Sequence, residues 1–165
     1  MSMKTLNDKF VHDLGDIYDA EHRFLEAQQQ MHEMASAREL KTMLKEHIAQ
    51  TEQQISNLEQ AYEMAGMKPK RVKCDAAAGL VSEGEKGMKE AKDSPAVLDV
   101  VIAGSAAKVE HYEIASYRGL IAACQQMGQD EICGIFEQNL AQEEQTAQKV
   151  EASLPMMLQK AHKAA

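Results

Sequence analysis

Apolar residues recur at the period of an α-helix along most of the 165-residue chain. One such segment covers about residues 6–34 and a second about 37–65, each with its apolar side chains on one face. A third runs from about Pro95 to Met127, and a fourth begins near Asp130. No stretch alternates strictly between apolar and polar residues, as a half-buried strand does. The pattern therefore predicts an all-α protein with four long amphipathic helices.

Local signals mark where these helices begin and end. Gly66 and Gly128 follow the second and third segments, where glycine commonly ends a helix in the left-handed conformation. Residues 93–95, Asp-Ser-Pro, are a start signal, because proline favours the first helical turn. Ser36 and Glu39 have the spacing of a capping box, which predicts the start of the second helix.

The segment between the second and third long helices is the longest connection. Residues 67–73 are basic and contain a proline, and residues 74–91 predict a short helix interrupted by glycines. Two hairpins joined by one long crossover form the ferritin-like arrangement of a four-helix bundle. We expect residues 1–155 to form this single domain. Pro155 is expected to break or kink the last helix, leaving residues 156–165 as a C-terminal tail or a frayed helix extension.

The net charge and the hydropathy of the chain argue against two classes of partner. The chain has 18 Lys and Arg against 26 Asp and Glu, a formal net charge of −8, which argues against a nucleic-acid partner. Its longest nearly uncharged stretch is far too short to cross a bilayer, and its N-terminal residues are charged, unlike a signal peptide. We therefore predict no membrane partner and a cytoplasmic protein.

The three cysteines, Cys74, Cys124 and Cys133, have no Cys-x-x-Cys spacing. They predict neither a disulfide framework nor a zinc finger. Cys124 and Cys133 are expected to be small buried hydrophobic residues, which suits a reducing compartment.

Ionisable side chains interrupt the apolar face of every long helix. Four lie near the centre of these faces, one on each helix: Glu21, His47, Glu113 and Glu143. Glu110 and Glu144 lie at the edges of the same faces. A single glutamate in such a place is usually an edge residue that reaches water, and a single histidine is usually a hydrogen-bonded core residue.

The positions of these residues along the helices indicate whether they are isolated surface and core residues or parts of one site. Glu21 and His47 lie 14 and 12 residues from the first turn, taken at residue 35, so they are level within one helical turn. Glu113 and Glu143 each lie 15 residues from the turn at residue 128. Converging carboxylates in an apolar interior need compensation, and no lysine or arginine lies near the centre of these faces. Two divalent cations supply this compensating charge, and the combination of oxygen and nitrogen ligands favours iron or manganese.

Several motifs resemble the YciE/YciF family of ferritin-like bacterial stress proteins over about residues 3–155. They are Tyr18-Asp19-Ala20-Glu21, His47 with Thr51 and Gln54, the 74–84 stretch, Glu110-His111-Tyr112-Glu113-Ile114-Ala115-Ser116-Tyr117, and Glu143-Glu144. The resemblance implies a ferritin-like bundle, a homodimer, a two-metal centre and a role in stress responses. It also implies ferroxidase-like chemistry.

The chain departs from the wider ferritin-like pattern at two positions. Leu44 stands three residues before His47, where that pattern has the glutamate of Glu-x-x-His. Thr146 and Ala147 follow the acidic pair of the last helix, so that helix lacks the usual histidine. The pair Glu110 and Glu113 resembles the extra carboxylate of rubrerythrins.

The leading hypothesis is a di-metal protein that oxidises Fe(II) with dioxygen or peroxide. Its expected metal ligands are Glu21, His47, Glu110, Glu113, Glu143 and Glu144. We expect Glu113 and Glu143 to bridge the metals, His47 to bind one of them, and Gln54 and Tyr117 to lie beside them. The alternatives are a non-enzymatic stress or scaffold protein with a structural or vestigial metal centre, and an iron-storage protein, which requires a closed shell.

Overall fold

The computed structural model describes residues 3–164 and contains five α-helices and no strand within that range. The helices are α1 (Leu6–Met34), α2 (Arg38–Met64), α3 (Asp75–Ala91), α4 (Pro95–Gln126) and α5 (Asp130–Ala164). The prediction of an all-α ferritin-like bundle with a long crossover is confirmed. The crossover, residues 65–94, contains the short helix α3.

The four long helices form a closed ring in which α1 packs on α2 and α4, and α5 packs on α2 and α4. Helix α3 lies against α1 and α4 and covers that side of the bundle. Two separate apolar clusters fill the interior. One includes Phe10, Leu58 and Phe136, and the other includes Met31, Leu40 and Ile102.

The prediction that two glycines end helices is confirmed. Gly66 and Gly128 follow α2 and α4 with φ angles of 67° and 69°, a conformation that disfavours any side chain. The expected break at Pro155 is not found, since α5 continues through it to Ala164. Pro155 and Glu151 are both exposed, so water can satisfy the carbonyl group that loses its helical partner.

The turn between α1 and α2 is capped from a distant helix. The predicted capping box does not form, because the Ser36 hydroxyl donates instead to Asp99 Oδ2 of α4 at 2.6 Å. The backbone N–H groups of Ser36 and Ala37 donate to the same carboxylate at 2.7 and 2.9 Å. Asp99, only 5% exposed, therefore fastens the first hairpin to the second.

The prediction of no disulfide is wrong. Cys124 near the end of α4 is bonded to Cys133 in the first turns of α5, with Cα atoms 5.8 Å apart. The nine-residue separation corresponds to no short cysteine motif, and the pair meets because the turn at Gly128 folds α5 back onto α4. Cys74 is free and buried. The cysteines therefore no longer support the inference of a reducing compartment, and the cytoplasmic location stays a prediction.

The basic connector lies across α1 at Gly15. The Val72 N–H donates to the Gly15 carbonyl at 2.9 Å, and a Cβ atom on Gly15 would come within 2.6 Å of Val72 Cγ2. One turn along α1, buried Asp19 accepts hydrogen bonds from Arg71 Nε at 2.8 Å and from the Cys74 N–H at 2.9 Å. These contacts attach the crossover to the first hairpin.

Replacing Asp19 with asparagine is expected to reduce the free energy of unfolding by about 1–3 kcal/mol, since hydrogen bonds to a charged group are lost. Burial raises the pKa of Asp19, but the bonds from Cys74, Arg23 and Arg71 outweigh it, and the net pKa is below 3.8. The stabilisation is therefore complete above pH 3.8 and disappears as the pH falls through the lower folded-state pKa. Urea unfolding of both proteins at pH 7 and pH 3 measures the loss of stability in Asp19→Asn. An equal loss at both pH values would contradict the prediction.

None of the helices among residues 3–164 is both long enough and apolar enough to cross a membrane.

Candidate metal centre

Four buried ionisable side chains converge between the two apolar clusters. His47 of α2, Glu110 and Glu113 of α4, and Glu143 of α5 each offer one ligand atom within 4.8 Å of the others. None is more than 4% exposed. Along α2 the cluster falls between the apolar residues Leu44 and Ile55, so the two ends of the bundle shield it from water.

Glu21 of α1 adjoins this cluster and is fully buried. Its carboxylate accepts a hydrogen bond from the Tyr117 hydroxyl, and its charge contributes to the raised pKa values of Glu110 and Glu113. The side-chain amide of Gln54 donates to Glu143 Oε1. Glu21 is not among the four residues whose ligand atoms lie within 4.8 Å, but its second oxygen has no hydrogen-bond partner in the part of the chain that the structure describes.

Several buried polar atoms of the cluster have no hydrogen-bond partner among residues 3–164. They are both oxygens of Glu113, both ring nitrogens of His47 and one oxygen each of Glu21, Glu110 and Glu143. His47 Nε2 lies 3.0 Å from Glu110 Oε1, but not in the geometry of a hydrogen bond. Buried polar groups in folded proteins are almost always paired, so this concentration of unpaired acceptors fits a site for cations.

Burial and mutual repulsion raise the pKa values of these carboxyl groups. Burial, and then Glu143, raises the pKa of Glu21 to about 8. Burial and then Glu21 raise that of Glu110 to about 7, against a lowering by Glu143. The pKa values of Glu113 and Glu143 lie well above the ordinary value for the same reasons. Among residues 3–164, no lysine or arginine forms a salt bridge with any of the four.

Of the six side chains predicted as ligands, the structure does not bring Glu144 to the cluster. Its carboxylate lies on the outer surface, 41% exposed, and pairs with Arg118 at 2.7 Å. Glu110, predicted at the edge of its helix face, instead points inward and is 1% exposed. Glu144 is therefore left out of the ligand set proposed below.

A chain of polar side chains next to Glu21 was not predicted from the sequence. Asn139 of α5, fully buried, donates to the Tyr117 hydroxyl oxygen at 3.0 Å and accepts from Asn57 at 2.7 Å. Asn139 lies between Phe136 and Glu143 on the inward face of α5. The position of Asn139 on that face could have predicted such a chain, because a buried asparagine needs hydrogen-bond partners as much as a buried glutamate does.

The space beside the cluster is small. Two cavities border both His47 and Glu110, and each has a volume of about 10 Å³. Such a cavity holds about one water molecule. The space beside the cluster can therefore hold a species the size of one water molecule, but not an organic substrate.

Four long helices around a buried centre of one histidine and several glutamates define a ferritin-like helical-bundle protein. The chain belongs to the family described as domain of unknown function DUF892, whose model matches residues 5–163. It is 34% identical to the protein YciF of Escherichia coli (strain K12) over 147 residues, 88% of each chain. The resemblance to the YciE/YciF family is thus confirmed.

Solved structures agree with this assignment. The structure of the E. coli stress protein YciF matches with a TM-score of 0.89 and 32% identity, over 96% of this chain and 99% of that one. The structure of YcfI from Rhodopseudomonas palustris matches with a TM-score of 0.87 and 37% identity, over 91% and 95% of the two chains. The bundle is therefore shared with relatives along nearly its whole length.

Proposed function

We propose that this protein binds two divalent metal ions, iron or manganese, in the buried cluster and oxidises Fe(II) with dioxygen or peroxide. The observation that carries the proposal is that His47, Glu110, Glu113 and Glu143 each bring one possible ligand atom within 4.8 Å of the others. Each of the four also has at least one buried polar atom without a hydrogen-bond partner among residues 3–164. Four carboxylates, counting Glu21, balance the charge of two divalent ions. Carboxylate and imidazole ligands projecting inward from bundle helices are the ligand type of di-iron and di-manganese proteins.

Each ligand contributes according to its surroundings. Glu113, with both oxygens free, suits a bridge between two ions, while Gln54 holds one oxygen of Glu143 and leaves the other free. His47 offers a neutral nitrogen donor. The apolar clusters on both sides keep bulk water out, which strengthens the attraction between carboxylates and cations.

When bound, two Fe(II) ions supply the two electrons that convert one peroxide and two protons into two waters. The cavities of about 10 Å³ beside His47 and Glu110 hold about one water each, so entry of a larger oxidant requires movement of the side chains around them. The relative YciF is described as a stress protein. We propose a protective role in which the chain lowers the concentrations of Fe(II) and of oxidant together, in the cytoplasm and as a homodimer.

Anaerobic titration of the metal-free protein with Fe(II), combined with elemental analysis, tests the proposal. We expect two ions per chain and, after addition of peroxide, Fe(II) oxidation faster than in buffer. The Glu144→Gln variant is the matched control, since Glu144 lies outside the cluster, and it is expected to bind two ions. Failure of both iron and manganese to bind would disprove the proposal.

The second candidate is a structural metal centre without turnover. It is favoured by the complete burial of the cluster, together with the absence of a histidine after Glu143. This candidate predicts that metal binds and raises the melting temperature, while Fe(II) oxidation stays at the buffer rate. Stopped-flow measurement of Fe(II) oxidation distinguishes the two candidates. Light scattering tests the homodimer, and a closed shell of many chains would favour iron storage instead.

A further inference from the structure

The polar chain that ends at Glu21 has a defined hydrogen-bond direction. Asn139 Nδ2 lies 3.0 Å from the Tyr117 hydroxyl oxygen and 3.4 Å from the Gln54 carbonyl oxygen. Asn139 Oδ1 lies 2.7 Å from Asn57 Nδ2. The nitrogen therefore faces two oxygens and the oxygen faces a donor. The reverse orientation of the amide would place oxygen against the Gln54 carbonyl and nitrogen against nitrogen.

The direction continues from Asn139 along the chain. Since Asn139 Oδ1 faces Asn57 Nδ2, the Asn57 oxygen points the other way, where it accepts from Gln53 Nε2 at 3.0 Å. Because the Tyr117 oxygen accepts from Asn139, its single hydrogen is left for Glu21 Oε1. Tyr117, Asn139 and Glu21 are all fully buried, so no bulk water replaces these partners.

We infer that Asn139 is a positioning residue: through Tyr117 it holds Glu21 so that only Oε2 is available to a metal ion. The inference rests on the proposed function, because it assigns Glu21 as a ligand that binds through one oxygen. Glu21 Oε2 has no partner among the described residues, whereas Oε1 accepts from Tyr117. Partners that orient the ligands of a metal typically change its affinity 10–100-fold when they are removed.

The competing explanation is that Asn139 only fills polar space in the core. A double-mutant cycle on metal affinity separates the two explanations, because residues that act through one another are not additive. The variants are Asn139→Leu, Tyr117→Phe and their combination. Ser153→Ala on the same helix is the control, since Ser153 lies ten residues beyond Glu143 and its hydrogen bond to the Val150 carbonyl group does not lead to Tyr117.

Calorimetric titration with Co²⁺ is the measurement, with urea unfolding of each metal-free variant to establish that it is folded. We expect Asn139→Leu and Tyr117→Phe each to weaken the affinity for one of the two ions about 10–100-fold. The combination is expected to be no weaker than Tyr117→Phe alone, and Ser153→Ala to change the affinity less than about twofold. If Asn139→Leu does not fold, the smaller Asn139→Ala takes its place in the cycle.

Two results would overturn the inference. One is an unchanged affinity in the folded Asn139 variant, and the other is additive losses from Asn139 and Tyr117. Failure of the unmodified protein to bind Co²⁺, Fe(II) or Mn(II) would instead contradict the proposed metal site itself.

Discussion

Replacing Glu113 with glutamine is expected to stabilise the metal-free protein and to abolish the binding of at least one metal ion. Glu113 is fully buried, and within the described range 3–164 neither of its oxygens has a hydrogen-bond partner. Without a cation, the cluster confines several carboxyl groups with no lysine or arginine partner, which costs folding free energy. An amide of the same shape removes one of these groups, so we expect a gain of about 1–3 kcal/mol in the free energy of unfolding.

The pH dependence of the metal-free protein gives the same prediction a second readout. The raised pKa values of Glu21, Glu110 and Glu113 mean that the folded chain holds these protons more strongly than the unfolded chain does. Their contribution is therefore complete below the ordinary value of 4.5 and is lost as the pH rises through about 7 and 8. We expect stability to fall between pH 5 and 8, and to fall less in Glu113→Gln.

Urea unfolding of the chelator-treated protein, with and without saturating Mn(II), measures both effects. Metal at 100 times its dissociation constant adds about 2.7 kcal/mol per site to the unmodified protein, and we expect less in Glu113→Gln. Glu144→Gln, on the exposed edge of α5, is expected to match the unmodified protein throughout. A Glu113→Gln protein that is less stable without metal and equally stabilised by Mn(II) would refute the cation-site interpretation.

Removing the bond between Cys124 and Cys133 is expected to cost about 2–3 kcal/mol, the loop-closure entropy of a link across about ten residues. Both sulfurs are buried at the end of the bundle that contains the α4–α5 turn, so the double variant Cys124→Ala/Cys133→Ala also loses some packing.

Unfolding with and without dithiothreitol isolates the effect of the bond. The unmodified protein should lose stability when it is reduced. The double-alanine variant should be equally stable with and without dithiothreitol. Cys74 remains in both proteins and controls for effects on a free thiol. Equal stability of the oxidised and reduced unmodified protein would contradict this prediction.

The helices were predictable because their signals are local. The apolar period, the glycines after α2 and α4, and Pro95 each depend on residues a few positions apart. The centre of the site was predictable for a related reason. Four ionisable residues at the centres of four apolar faces, at matched heights, are unlikely to reach water separately, and Glu21, Glu113 and Glu143 are fully buried.

The edges of the faces were not predictable, because a helical wheel does not show which edge a neighbouring helix covers. Glu110 and Glu144 look equivalent in the sequence, yet one is buried near His47 and the other meets Arg118 at the surface. The hydrogen-bond partners of the Asp19 and Asp99 carboxylates were not predictable either. Their partners lie more than 50 residues away along the chain, beyond the range of any local pattern.

The attachment of Asp99 to the α1–α2 turn sets the longitudinal alignment of the two halves of the bundle. His47 comes from the first hairpin, whereas Glu110 and Glu113 come from the second. A slip of one hairpin by a single residue would displace these ligands by about 1.5 Å, more than a coordination bond tolerates. Asp99 lies 11 residues before Glu110, about 16 Å along α4. The geometry of the proposed metal site therefore depends on a hydrogen-bonded turn that does not touch its residues.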